Sequence, residues 1–142
     1  MRQKEDVMPE TELQRWWATA DEIAASMRPY IRDGATASAL RLLMDGINYL
    51  PDAAAHGDLD MVLVPPSSTG DERWDTLLAA AIRLRLHSIG APAPTWTHKP
   101  PLPRMWWPRA HTRAKAINDF NRAPAELRRV GIFLDESGFK RG

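Results

Sequence analysis

The chain has 142 residues, 44% of them hydrophobic and 26% charged, which predicts one domain with enough apolar surface to build a core unaided. The absence of cysteine excludes disulfides and thiolate metal sites. The charged start MRQKEDVMPE and the lack of any run of about 18 apolar residues argue against a signal peptide or a membrane span, so a cytoplasmic location is expected. The formal charge of +1 conceals a split, because residues 1–80 carry a net −7 and residues 81–142 a net +8.

Residues 1–8 read as a flexible charged arm and 9–142 as a single helical domain. A helix is expected over 9–28, with Pro9 in its first turn, Glu10 and Glu12 at its positive end, and Leu13, Trp16, Trp17, Ala20, Ile23, Ala24 and Met27 on one face. Pro29 should end or kink it. After the Asp33-Gly34 turn, Leu40, Leu43, Met44, Ile47 and Leu50 mark a second helix over 35–50, which Pro51 should stop.

The apolar run 61–64 is β-branched enough to read as a short strand, closed by Pro65-Pro66. Thr69-Gly70-Asp71-Glu72 has capping-box spacing and should open a helix over 71–89. Its face of Trp74, Leu77, Leu78, Ala81, Ile82 and Ile89 is widened by Leu84 and Leu86, which predicts a central helix contacted on several sides, with Gly90 as its C-terminal cap.

Residues 92–108 hold six prolines, which excludes regular helix and predicts an extended segment packed down by Trp96, Trp106 and Trp107. A helix from Pro108 to about Phe120 should turn Ala110, Ala114, Ile117 and Phe120 inward and Arg109, Arg113, Lys115 and Arg122 outward. Ala123-Pro124 restarts a short helix through Arg129, and Gly131-Ile132-Phe133-Leu134 reads as a second short strand beside 61–64. The fold expected is mostly α: one domain of four to five helices, at most a small two-stranded β element, and a proline-rich wrapping loop.

His56, His87, His98 and His111 show no ligand spacing, so neither a metal nor any other cofactor is expected. Ser67 and Ser68 lie in a turn without a nucleophile-elbow pattern, and no phosphate-binding glycine loop occurs. Asp58 and Asp60, two apart before an apolar run, resemble the metal-binding strand of nucleotidyltransferases over about eight residues. That family's preceding Gly-Ser turn is replaced here by Pro51-Asp52-Ala53-Ala54-Ala55-His56, so no catalytic residue is assigned and a minimal or degenerate nucleotidyltransferase remains an alternative.

Six tryptophans are far more than ordinary usage, and tryptophan and arginine dominate binding hot spots. The partner-binding candidates are therefore Trp96, Arg104, Trp106, Trp107, Arg109 and Arg113. With Lys115, Arg122, Arg128 and Arg129 the same half offers a positive surface for nucleic acid, although no helix-turn-helix or RNA-binding motif accompanies it.

Pro65-Pro66 with Thr69-Gly70-Asp71-Glu72-Arg73-Trp74, then Pro94-Thr95-Trp96-Thr97, Met105-Trp106-Trp107-Pro108, and Ala123-Pro124-Ala125-Glu126-Leu127 through Asp135 resemble a small actinobacterial antitoxin-like family. The resemblance covers about residues 60–135 and rests on spaced Trp, Pro and Gly positions. It implies a protein encoded beside nucleotidyltransferase-type toxins that neutralises such a partner. Some members carry an added helix-turn-helix domain, for which this chain has no recognisable counterpart before residue 60. No membrane partner is expected, and the oligomeric state is left open.

Overall fold

In the computed structural model, which describes residues 17–135 and Ser137, Thr19 starts helix α1 (Ala20–Arg32) with a reciprocal cap. The Thr19 hydroxyl accepts from the Glu22 N–H at 3.1 Å, and the Glu22 carboxylate accepts from the Thr19 N–H at 2.9 Å. The first helix is thus shifted from the expected 9–28 within the described residues, while the arm 1–8 and residues 9–16, including Trp16, lie outside them. Pro29 does not end α1 but sits in its last turns. The loss of one backbone bond is outweighed by the burial of Ile23, Ala24 and Met27 and by closure at Gly34, where Gly34 and Ala35 donate to the Ile31 and Tyr30 carbonyls.

Helix α2 (Thr36–Ile47) buries Ala39, Leu40, Leu43 and Ile47 and packs along α1. The Ile23 side chain of α1 fills the space beside Gly46, so that a Cβ there would lie 2.5 Å from Ile23 Cδ1. Helix α2 stops at Ile47, short of the expected 50 and before Pro51, and that proline sits in the first turn of a separate helix α3 (Leu50–Ala55), where its missing N–H has no helical partner to lose. The expected strand at 61–64 is also corrected. A single helical turn, α4 (Leu59–Val62), forms there instead, with Val62 and Leu63 donating to the Asp58 and Leu59 carbonyls at 3.0 and 2.8 Å. Among the described residues no strand reaches this segment, so its backbone groups are met by the turn itself and, at the Leu63 carbonyl, by the Trp96 indole N–H.

Helix α5 (Glu72–Ser88) is central as expected, burying Trp74, Thr76, Leu77, Leu78, Ala79, Ala80, Ala81, Ile82 and Leu86. Its cap is Asp71 and not Thr69: the carboxylate accepts from the Arg73 and Trp74 N–H groups at 2.8 and 3.4 Å. Partial burial pushes that carboxyl up, but hydrogen bonds from the Arg73 side chain and backbone hold it below its ordinary value. At the other end Gly90, at φ +69°, donates to the His87 carbonyl and Ala91 to the Leu86 carbonyl, a paired closure that requires the left-handed conformation.

The proline-rich segment packs on this framework through a 3-10 turn (Thr95–Thr97), with Thr97 fully buried. Among the described residues β pairing is confined to a parallel bridge between Trp106 and Ile132. The expected second strand therefore pairs with the proline segment and not with residues 61–64. Trp106 donates to the Gly131 carbonyl and Phe133 to the Trp106 carbonyl, both at 2.9 Å. Helix α6 (Arg113–Arg122) begins later than the expected Pro108, at the Thr112 cap, and α7 (Ala125–Arg128) delivers Leu127, Val130, Ile132 and Leu134 to the core. The described residues are thus mostly helical, and none of their helices is long and apolar enough to cross a membrane.

Gly46→Ala is expected to destabilise the protein by about 1–3 kcal/mol through overpacking against Ile23, although alanine is the better helix former by about 1 kcal/mol. The urea midpoint measures the sign directly: a more stable variant would show that Ile23 yields at no cost.

Candidate functional site

The structure places the three candidate tryptophans against different partners. Trp96 is half-buried, donates its indole N–H to the Leu63 carbonyl at 2.8 Å, and lines a cleft of about 170 Å³ with Pro65, Pro66, Leu78 and Lys99. Trp106 meets Trp74 edge-on at 5.3 Å between centroids, with the Arg73 guanidinium 4.9 Å from its ring. Trp107 stacks on Phe133 at 5.0 Å and donates its indole N–H to the Ala116 carbonyl at 3.1 Å. Each ring therefore fastens the proline segment to a helix or to the core. Arg104, Arg109 and Arg113 are exposed and form no salt bridge among the described residues.

Trp107 determines how α6 lies. Its indole takes the Ala116 carbonyl, and the neighbouring turn buries Asp119 completely. Lys115 donates to Asp119 Oδ1 at 2.8 Å, four residues along the same helix, while Oδ2 has no hydrogen-bond partner. Asn118 donates to Asp135 at 2.9 Å, and the other Asp135 oxygen accepts from the Ser137 N–H at 2.9 Å. The Ser137 backbone N–H and then the Asn118 amide lower the Asp135 carboxyl to about 2.

Orientation by a polar residue overturns the expected inward face of this helix. Ala114, Ile117 and Phe120 turn outward, and Ala110 is half-buried. Ile117 is 56% exposed, Phe120 39% and Met105, just before the bridge, 63%. Phe120 retains a ring contact with Phe133 at 4.8 Å, with the Arg128 guanidinium 5.0 Å from the Phe120 ring centroid. The buried Phe133 ring touches both Trp107 and Phe120, so the segment beyond the bridge and α6 pack on one side chain. Exposed Arg104, Arg109, Arg113 and Arg122 flank the bridge and α6 in sequence.

Asp58 and Asp60 do not form the carboxylate pair of a nucleotidyltransferase strand. They stand at and within the helical turn α4, where positions two apart diverge around the axis instead of facing the same way. Among the described residues no group of three or more His, Cys, Asp or Glu side chains could hold a metal ion. The chain matches no model of a known protein family, no curated protein and no solved structure.

The sequence placed Arg109 and Arg113 at the surface, where the structure has them, but assigned Ile117 and Phe120 to the interior. The usable signal was Lys115-x-x-x-Asp119, an oppositely charged pair at helical spacing on the side assigned to solvent.

The polar contacts beneath α6 give two expectations. A carboxyl lowered in the folded state contributes stability above its ordinary range that is lost as pH falls toward about 2. Asn118→Ala should raise the Asp135 midpoint and move that loss to higher pH, as read by NMR titration. Lys115→Ala should destabilise the fold by about 3 kcal/mol, because it leaves the buried Asp119 carboxylate without its cation, whereas Asp119→Asn should cost less. Thermal unfolding of the two variants decides the order.

Proposed function

We propose that this protein is a non-catalytic, cytoplasmic, antitoxin-like binding module whose α6 face closes on a nucleotidyltransferase-type toxin or a similar enzyme. The observation that supports this most is the inversion of α6, which buries Asp119 and leaves Ile117 and part of the Phe120 ring exposed. Full burial of a side chain of this size contributes roughly 1.5–3 kcal/mol, and the part of it that folding leaves unused here is available to association. Arg104, Arg109 and Arg113 supply planar donors suited to partner carboxylates. In this reading Trp96, Trp106 and Trp107 act chiefly as scaffold: they hold the segment that carries Met105 and the arginines. The toxin-type partner itself follows from the family resemblance of residues 60–135.

The test is affinity capture from a native host extract with the wild type and with the Ile117→Glu/Phe120→Glu variant, both checked for folding by circular dichroism. The wild type should recover one stoichiometric protein partner and the variant should lose at least about tenfold of it. Absence of a stoichiometric partner, or equal recovery by both, would overturn the proposal.

A further inference from the structure

The cleft of about 170 Å³ between the loop after α4 and the proline segment has Pro65, Pro66, Trp96 and the buried Leu78 as its apolar lining. These walls are fixed by bonds of their own. The Trp96 indole N–H is spent on the Leu63 carbonyl, the Lys99 carbonyl accepts from Arg129 at 2.9 Å, and the Ser68 carbonyl accepts from Arg28 at 2.7 Å. A cleft held in this way is formed before any ligand arrives. Its polar lining groups are unequally engaged. Asp75 accepts from the Ser68 hydroxyl and from the Thr69 N–H and hydroxyl, which fills three of about four acceptor sites on a carboxylate. Asp21, close by, accepts from the Ser67 N–H at 2.8 Å. Lys99 also lines the cleft and is half-buried, yet its ammonium has no hydrogen-bond or salt-bridge partner among the described residues.

We infer that this cleft binds a small aromatic carboxylate, with one ring against Trp96, the two prolines and Leu78 and the carboxylate at the Lys99 ammonium. Size sets the first limit. An apolar protein cavity of about 150 Å³ holds one benzene ring, so this cleft takes a single ring and no fused ring system. A flat ring also suits the Trp96 indole, which offers its faces and has no donor left to give. Charge sets the second limit. A half-buried lysine lays its methylene stem along apolar surface and keeps its ammonium toward water, so an anion meets it at the mouth while the ring goes deeper. A cationic ring would depend on the largely filled Asp75 and would face Lys99, with the Arg28 and Arg129 guanidinium groups bonded to two lining residues. The inference does not rest on the α6 face or on any partner docked there.

The probe is benzoate, with benzyl alcohol as its neutral counterpart and benzylammonium as its cationic one. Isothermal titration calorimetry of the full chain should show benzoate binding at one site with a dissociation constant of about 1 mM or tighter. Benzyl alcohol should bind at least about tenfold more weakly, and benzylammonium more weakly still. Lys99→Met keeps the stem and removes the charge, so it should weaken benzoate about tenfold and leave benzyl alcohol unchanged. Ser67→Trp, at an exposed lining position whose backbone N–H makes the bond to Asp21, should fill the cleft and abolish binding of both. Circular dichroism checks that each variant is folded. In NMR spectra benzoate should move the Trp96 indole signal and the amides of Ser67, Ser68 and Gly70 while those of α6 stay in place. The inference is overturned by benzoate that fails to bind at about 10 mM, that binds either variant as tightly as the wild type, or that shifts the signals of Arg104, Arg109 and Arg113 instead of those of the cleft. Tighter binding of benzylammonium would assign the cleft to a cation held by Asp75 and overturn it equally.

Discussion

Residues 76–82 of α5 are all buried, as are Trp74 and Leu86, so this helix has almost no face to give to solvent and every neighbour must be placed to cover it. Its polar side chains then have no choice but to reach outward between those neighbours, and each of them ties down a different element. Asp75 accepts from the Ser68 hydroxyl and from both the N–H and the hydroxyl of Thr69, at 2.7, 2.7 and 2.6 Å. Arg83 donates to Thr97 in the proline segment at 3.2 Å, Arg85 to Asn48 at the end of α2 at 2.7 Å, and the His87 ring meets Glu126 of α7 at 2.6 Å. The loop before α5 is bound to α1 in turn, where Asp21 accepts from the Ser67 N–H and Arg28 donates to the Ser68 carbonyl. One buried helix therefore organises both the apolar and the polar contacts of the fold.

The proline-rich segment is the consequence least like ordinary secondary structure. Prolines lack an N–H, so the segment has few donors with which to attach itself, and those few are placed where α7 ends. Leu102 donates to the Val130 carbonyl at 3.0 Å and Trp106 to the Gly131 carbonyl at 2.9 Å. Gly131, at φ +82°, turns the chain between α7 and the bridge and lies near the backbone of Met105, so the tight turn and the close passage of the segment coincide. With α1, α2, α7 and the proline segment already around α5, α6 is left outside the main core and is attached through Trp107, Phe133 and a buried carboxylate.

That hierarchy explains which parts were legible in the sequence. Helix α5 was, because its apolar residues recur densely over seventeen positions and Gly90 marks its end. Composition indicated an extended proline segment carrying Trp96, Trp106 and Trp107, but could not divide those rings, half-buried in the structure, between packing and a partner. The errors sit where a local signal competed with tertiary context. Pro51 looks the same whether it ends one helix or begins another. Thr69 has the spacing of a cap, yet Asp71, two residues nearer the helix, presents the stronger acceptor. The run 61–64 has strand-like composition but no edge to join. In α6 the apolar period was read correctly and its direction was not, because periodicity identifies a stripe without saying whether core space remains for it. The candidate site was legible as a region and not as a surface: Arg104, Arg109 and Arg113 are exposed, whereas Trp96, Trp106 and Trp107 spend their indoles on internal partners.

The opposed charges of the two halves now acquire a structural meaning. A helix that exposes an isoleucine and part of a phenylalanine invites nonspecific association, and exposed Arg113, one helical turn before Ile117, limits it by repelling any copy that approaches with the same face. The arginines favour partners that bring carboxylates to an apolar centre. A partner that docks on α6 requires no conformational change in the fold, because the helix is already held by the Trp107 indole, by the burial of Asp119 and by the bridge between Trp106 and Ile132.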